Sequence, residues 1–152
     1  MKLQQNTRLA LYSLLEFAAD PKRQIPAAEI AQKYEVSSHH LAKVLAELSR
    51  VGMVQSVRGV GGGYRFVGNA RRLTLMDVIS RFEDVLPSEN AHSQETPVGQ
   101  ALASVLSEID EIAKASMSSI TLATMLRIIE RQQGANAAAP ASTKVKLKRP
   151  MA

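Results

Sequence analysis

Cysteine is absent from the 152-residue chain. Its absence excludes disulfide bonds, thiol catalysis, zinc sites built from thiolates and iron–sulfur clusters held by cysteine. Long apolar runs are missing as well: no stretch reaches the roughly 18 apolar residues of a membrane-spanning helix, and the first residues lack the apolar segment of a signal peptide. Hydrophobic residues make up 45% of the chain, which is enough for a core. We therefore expect a folded, cytoplasmic protein with no membrane partner.

The net charge of +5 is distributed unevenly. Residues 1–72 carry 11 basic and 5 acidic side chains, residues 73–133 carry 4 basic and 9 acidic ones, and residues 134–152 carry 4 basic side chains and no acidic one. A basic segment attracts a polyanion through counterion release, whereas an acidic segment repels it. A nucleic-acid partner should therefore meet the N-terminal half, although a solvated basic face would have the same composition.

The spacing of apolar residues predicts three helices near the start of the chain. The first covers 6–19 and the short second covers 27–34. Ser37 is a good N-cap for the third helix, which ends before Gly52. The core positions of this third helix are Leu41, Val44, Leu45 and Leu48.

Two short strands, over 53–58 and 64–67, flank a glycine-rich turn and predict a hairpin. Thr74 and Asp77 form a capping-box pattern that begins a fourth helix, whose apolar side consists of Leu75, Val78, Ile79 and Phe82. These elements predict a mainly α fold with a small β-hairpin wing, in which residues 1–84 form a winged helix-turn-helix domain.

The remainder of the chain is expected to extend this domain. Residues 85–97 are polar and contain two prolines, so they predict a loop. Residues 98–133 predict a long dimerisation helix and a C-terminal helix, of which 117–133 should pack back on the domain or on a partner subunit. Residues 134–152 have the composition of a disordered basic tail. The apolar seam of the long helix consists of Leu102, Val105, Ile109 and Ile112.

The third helix has the position of a recognition helix, which offers its N-terminal residues to the major groove of DNA. Serine and histidine can hydrogen-bond base edges or phosphates, while lysine and arginine can pair with phosphates or with guanine. An ordinary polar helix face is the alternative. The candidate DNA contacts on this helix are Ser38, His39, His40, Lys43 and Arg50.

The hairpin supplies the other candidate contacts, Arg58, Gly59, Gly61 and Arg65. Glycines let one backbone approach another closely, and an arginine such as Arg58 can enter a narrow minor groove. A plain hairpin turn that needs positive φ would explain the glycines but not the flanking arginines.

Enzyme and metal chemistry find little support in the sequence. A dinucleotide fingerprint that started at Gly59 would need glycine where Tyr64 stands, and the chain has no Gly-Lys-Ser/Thr triplet for a phosphate loop. His39 and His40 are adjacent and point in different directions on a helix, and His92 is the only other histidine. We expect no enzyme activity, metal or cofactor.

Several motifs in order resemble the Rrf2 family of bacterial winged-helix regulators. They are Ile30-Ala31, the run from Val36 to Leu45, Leu48, Gly52, Val54, Arg58-Gly59, Gly62-Gly63-Tyr64, Leu75, and Asp77-Val78-Ile79 with Glu83. The resemblance covers about residues 1–130. It implies a homodimer on a palindromic promoter element, with the helix residues up to Lys43 in the major groove of double-stranded DNA and the Arg58 wing in the minor groove.

The chain departs from this family at the sensing site. Sensing members hold a cluster with three cysteines in the loop after the Glu83 helix, where this chain has Asn90, Ala91 and His92. Some relatives add an aspartate from the opening helix, and Arg8 takes that position here. Because one histidine cannot replace three thiolates, we expect no iron–sulfur cluster.

The leading hypothesis is therefore a transcription regulator, and a repressor in preference to an activator, without a cysteine cluster. Its control would come from a small-molecule effector, a protein effector or its own abundance. The alternative is a winged-helix protein-interaction module that has lost specific DNA recognition.

Overall fold

The structure, a computed structural model, describes residues 2–83 and 96–138. It confirms the mainly α fold with a small β-hairpin. The first three helices lie within about one residue of their predicted bounds. In chain order the elements are α1 (Gln5–Ala19), α2 (Ala27–Lys33), α3 (Ser38–Arg50), β1 (Val54–Val57), β2 (Gly63–Phe66), α4 (Leu75–Ile79), α5 (Pro97–Ser119) and α6 (Leu122–Ala138). No helix in the described ranges combines the length and apolar character needed to cross a bilayer.

The core is formed mainly by α1 and α3, and the other elements add to it, α5 only through the partly buried Met117. Its fully buried side chains include Leu14 and Phe17 of α1, Leu45 of α3, Val78 of α4 and Leu122 of α6. Each buried side chain of this size stabilises the fold by about 1.5–3 kcal/mol relative to an exposed one. Residues near both ends of the described chain thus share one core.

Both helices of the helix-turn-helix end in the same hydrogen-bonded motif. After α2, the Val36 N–H donates to the Ala31 carbonyl at 3.0 Å, and Glu35 between the helices has a φ of 52°. After α3, the Met53 N–H donates to the Leu48 carbonyl at 3.0 Å across Gly52, whose φ is 75°. This left-handed position favours glycine, so Glu35 carries a strain of about 1 kcal/mol that Gly52 avoids.

The hairpin is attached to the segment before α2. The first strand is shorter than predicted and the second is shifted by one residue. They pair in antiparallel register, with Val54 opposite Phe66 and Val57 opposite Gly63. Tyr64 also exchanges two backbone hydrogen bonds of 2.9 Å with Ile25. These bonds hold the part of β2 near the glycine turn against the segment before α2.

The helix α4 is shorter than its apolar pattern predicted, because it ends at Ile79 and the next residues form turns. Its capping box is present: the Thr74 hydroxyl accepts from the Asp77 N–H at 3.2 Å, and the Asp77 carboxylate accepts from the Thr74 N–H at 2.8 Å. Beyond α4, the Glu83 carboxylate accepts from the Gln4 N–H at 2.7 Å and from the Thr7 hydroxyl at 2.6 Å. A carboxylate at this place pairs with a free backbone N–H at the start of α1 and interacts favourably with the positive end of the helix dipole.

The junction between α5 and α6 is bound to the segment that precedes α4. The Leu75 N–H donates to the Ile120 carbonyl at 2.9 Å, and the Leu122 N–H donates to the Leu73 carbonyl at 2.8 Å. Leu122 is fully buried, whereas α5 contributes no buried residue. Only the C-terminal end of α5 is therefore held by backbone hydrogen bonds to the domain.

Two further predicted boundaries differ from the structure. Pro97, expected in the loop, is the first residue of α5, and the Thr96 hydroxyl caps this helix by accepting from the Gly99 N–H at 3.1 Å. Residues 134–138, expected in the tail, instead continue α6 to Ala138 and include three alanines, which are strong helix formers. Residues 84–95 and 139–152, including His92, lie outside the described residues.

Candidate nucleic-acid interface

The recognition-helix candidate α3 has one buried side and one exposed side. Consecutive residues are about 100° apart around a helix. Its buried side consists of Leu41, Val44, Leu45 and Leu48. On the opposite side lie His39, Lys43 and Arg50, all exposed, and Ser38 is exposed in the first turn. The face that the sequence assigned to DNA is therefore directed to solvent.

His40 occupies a flank of α3 rather than its outward face. Its backbone N–H donates to the Ser37 hydroxyl at 3.1 Å, which caps the helix as predicted. Its ring Nε2 contacts the side-chain oxygen of Asn6 in α1. His40 thus connects α3 to α1. Sequence reasoning missed Asn6, because a contact across 34 residues leaves no local pattern.

Arg50 is paired within α3. Its Nε donates to a Glu47 carboxylate oxygen at 2.9 Å. This bond lowers the pKa of Glu47, so the carboxylate remains ionised and offsets the arginine charge. The free positive charge of α3 consequently lies at Lys43, closer to the helix N-terminus.

The wing tip is a tight glycine turn. Gly59 and Gly61 have φ values of 107° and 73°, and the Gly62 N–H donates to the Gly59 carbonyl at 3.0 Å. Turn geometry therefore accounts for these glycines, while Arg58 at the edge of the turn is exposed. Arg65, on β2, donates to the side-chain oxygen of its cross-strand neighbour Gln55 at 2.8 Å.

Two of the four predicted lysine and arginine contacts, Lys43 and Arg58, make no side-chain hydrogen bond or ion pair within the described residues, whereas Arg50 bonds Glu47 and Arg65 bonds the neutral Gln55. Across residues 2–83 and 96–138, the acidic partners in ion pairs are Glu29, Glu16, Glu47 and Glu111, and none of them pairs with Lys43 or Arg58. These two side chains lie on different elements, the recognition-helix candidate and the wing. Both are available to a polyanion.

Comparison with known proteins identifies the family of this chain. Residues 3–128 match the model of the Rrf2 family, which is described as "Iron-dependent Transcriptional regulator". The chain is 46% identical over 134 residues to the HTH-type transcriptional regulator BadM of Rhodopseudomonas palustris, covering 88% of this chain and 86% of the relative. It is 30% identical over 97 residues to the HTH-type transcriptional regulator NsrR of Shouchella clausii, covering 63% of this chain and 65% of that protein.

Solved structures share the fold. The IscR of T. potens superimposes with a TM-score of 0.72 at 24% identity, covering 93% of this chain and 94% of that one. The CymR of Staphylococcus aureus superimposes with a TM-score of 0.69 at 22% identity, covering 81% and 96%. At these identities the likeness concerns the fold alone.

The iron named in the family description does not fit the donor residues of this chain. A cysteine-held cluster needs thiolates, and the full sequence has none. Over the described ranges, moreover, no group of three histidine, aspartate or glutamate side chains is placed to hold a metal ion. We therefore assign no step of the function to iron.

Proposed function

The chain belongs to the Rrf2 family of transcriptional regulators, and from this premise we propose that it is a homodimeric repressor that recognises a palindromic DNA element without an iron–sulfur cluster. The family and the relatives are transcriptional regulators rather than enzymes. The observation that carries the proposal is the exposure of Lys43 and Arg58 without an acidic partner among the described residues. As a regulator of chromosomal genes, the protein would work in the cytoplasm.

In this proposal the first turn of α3 enters the major groove. Ser38 and His39 contact base edges or phosphates, and Lys43 contacts a phosphate or a guanine. His40 keeps α3 oriented through its contact with Asn6. Arg50 would have to exchange Glu47 for a phosphate. Because the existing ion pair must be broken, the net contribution of Arg50 to DNA affinity is smaller.

The wing is assigned to the minor groove. Arg58 would enter it, with the backbone of Gly59 and Gly61 close to the sugar-phosphate chain. Arg65 is held by Gln55 and would contact phosphate from the side of the hairpin. Sequence preference at the wing would come from groove width, because the minor groove distinguishes few base pairs directly.

A second copy of the chain is proposed to cover the apolar side of α5. Leu102, Val105, Ile109 and Ile112 are between 54% and 60% exposed. They follow one another at intervals of three and four residues, which matches a helix that packs lengthwise against another helix. A twofold axis along this seam would give the two recognition helices the symmetry of a palindromic site.

The DNA assignment can be tested on a fragment that the protein selects from a genomic library. Lys43→Ala and Arg58→Ala should each weaken binding about fivefold to a hundredfold, and a lost phosphate contact should lower the salt slope by about one. Arg131→Ala, which removes an exposed arginine from α6, serves as the control. Fluorescence anisotropy at several salt concentrations measures both quantities.

Two results would count against the proposal. Equal affinities for wild type and both variants would refute the assigned contacts. Binding that does not weaken with salt would instead favour the protein-interaction module.

A further inference from the structure

A small cavity lies between α1 and the segment that joins α2 to α3. Its volume is about 220 Å³. Four lining residues come from one side of α1 and two from the joining segment. They are Gln5, Arg8, Leu9, Tyr12, Tyr34 and Val36.

Two aromatic rings and two aliphatic side chains line the cavity together with polar groups. The rings of Tyr12 and Tyr34 are stacked, with centroids 4.8 Å apart and planes inclined by 18°. Tyr34 is immobilised further, because its hydroxyl donates to Glu16 and Lys33 lies 5.8 Å from its ring centroid. Tyr12 remains 40% exposed, so part of its ring is open to another planar group.

Arg8 is the charged residue of this lining. It is exposed, and the ion pairs of residues 2–83 and 96–138 do not include it. The nearby carboxylate of Glu16 accepts hydrogen bonds from Lys33 and Tyr34. Burial and the bond to Glu16 raise the pKa of Tyr34, so this tyrosine stays neutral. The cavity thus combines a guanidinium with aromatic surface, and among the described residues its lining includes no carboxylate.

We propose that this cavity binds a small aromatic carboxylate that acts as an effector. The guanidinium of Arg8 holds the carboxylate in the paired geometry that arginine favours. The ring of Tyr12 stacks on the ligand, and Leu9 and Val36 cover its edge. The cavity volume of about 220 Å³ suits a molecule with a single ring or with two fused rings.

The location of the cavity connects it to DNA binding. Val36 directly precedes Ser37, the N-cap of α3, and it follows the left-handed residue Glu35. A ligand that contacts both α1 and Val36 changes how α3 sits on α1. This regulatory step rests on the proposed function, and linkage requires that DNA change the ligand affinity by the same factor.

The site can be tested on the full chain without DNA, using 2-naphthoate as the probe. The chain has no tryptophan, so the fluorescence of the probe is measured against tyrosine alone. Arg8→Gln should raise the dissociation constant at least tenfold, and Tyr12→Leu several-fold. Arg131→Gln, on another helix, should leave it unchanged, and uncharged 2-naphthamide should bind at least tenfold more weakly than 2-naphthoate. Circular dichroism verifies that each variant is folded.

Equal binding of 2-naphthoate by wild type and Arg8→Gln would overturn the proposal, as would equal affinity for 2-naphthamide. A second measurement follows DNA affinity with and without saturating 2-naphthoate. A change in DNA affinity on adding 2-naphthoate that occurs in wild type and not in Arg8→Gln supports regulation. If wild type does not bind 2-naphthoate and Arg8→Gln binds DNA more weakly than wild type, Arg8 is instead assigned to a DNA phosphate, and the proposal is overturned. Failure of the Lys43 and Arg58 tests would refute the DNA contacts yet leave the naphthoate result intact, so the two failures are distinguishable.

Discussion

The helices α3 and α5 have similar apolar periodicity and opposite environments. In α3, Leu41 and Leu45 are completely buried against the rest of the chain. In α5, which is longer, Leu102 and Ile109 remain 57% and 55% exposed, and no residue is buried. Periodicity therefore indicates that a helix needs a packing partner, but it does not say whether that partner belongs to the same chain.

The largest effect is expected from truncating the buried helix. Leu45→Ala should lower the free energy of unfolding by about 2–5 kcal/mol, because it removes buried methyl groups and leaves a cavity. The same truncation in α5, Leu102→Ala, should cost less than about 1 kcal/mol at concentrations where the chain is monomeric. Urea unfolding followed by circular dichroism measures both, and similar losses would show that α5 is packed within the chain.

A comparable effect on assembly is expected from charging the exposed helix. Leu102→Lys combined with Ile109→Lys should weaken dimerisation at least a hundredfold, or about 2.7 kcal/mol, because two charges enter an apolar seam. Light scattering measures the assembly state, and anisotropy should show a parallel loss of affinity for the palindromic site. Ser104→Lys with Ser107→Lys, on the opposite side of α5, is the matched control. If the dimer persists in the Leu102→Lys, Ile109→Lys variant and dissociates in the Ser104→Lys, Ser107→Lys control, the interface lies elsewhere.

A smaller effect of opposite sign is expected at the turn before α3. Glu35→Gly should stabilise the fold by about 0.5–1 kcal/mol, because glycine adopts a φ of 52° without strain. The gain is limited because glycine also makes the unfolded chain more flexible. Gly52→Ala, at the equivalent position after α3, should destabilise by about 1 kcal/mol through the backbone, since no atom lies within 4 Å of the added carbon. Thermal unfolding compares the two variants. A loss of stability in Glu35→Gly would mean that the Glu35 side chain makes a stabilising contact.

The smallest effect concerns the pH dependence of the packed domain. Burial acts to raise the pKa of Glu16, but hydrogen bonds and charge from Lys33 and the hydrogen bond from Tyr34 outweigh it and lower the pKa below 4.5. A lowered pKa stabilises the folded state above the unfolded value, and this contribution is lost as pH falls through the folded value. Wild type should therefore lose more stability than Glu16→Gln between about pH 5 and pH 3, by less than about 1 kcal/mol because the pair is partly exposed. Parallel loss in the two proteins would show that the Glu16 contacts are energetically negligible.

Most of the fold could be predicted because its signals are local. Ser37 caps α3, Thr74 and Asp77 form a capping box, and Gly52 follows the helix it ends. The limits of α4 and α6 could not be predicted, because apolar spacing continues past Ile79 while the helix does not, and α6 continues past a glycine. The contact from His40 to Asn6 was also inaccessible, since it depends on how α1 crosses α3.

The sequence by itself determined the class of the protein. Helix periods, caps and the glycine turn are properties of neighbouring residues, and the lack of cysteine removes cluster chemistry whatever the fold. Only the tertiary structure decided which polar side chains are occupied within the chain and which are available to a ligand. Glu83 binds the start of α1, and Glu16 binds Lys33. In the described part of the chain, Lys43, Arg58 and Arg8 are not paired with an acidic side chain. The reason is that charges are neutralised by proximity in space, and most of that proximity arises when distant segments pack around a common core.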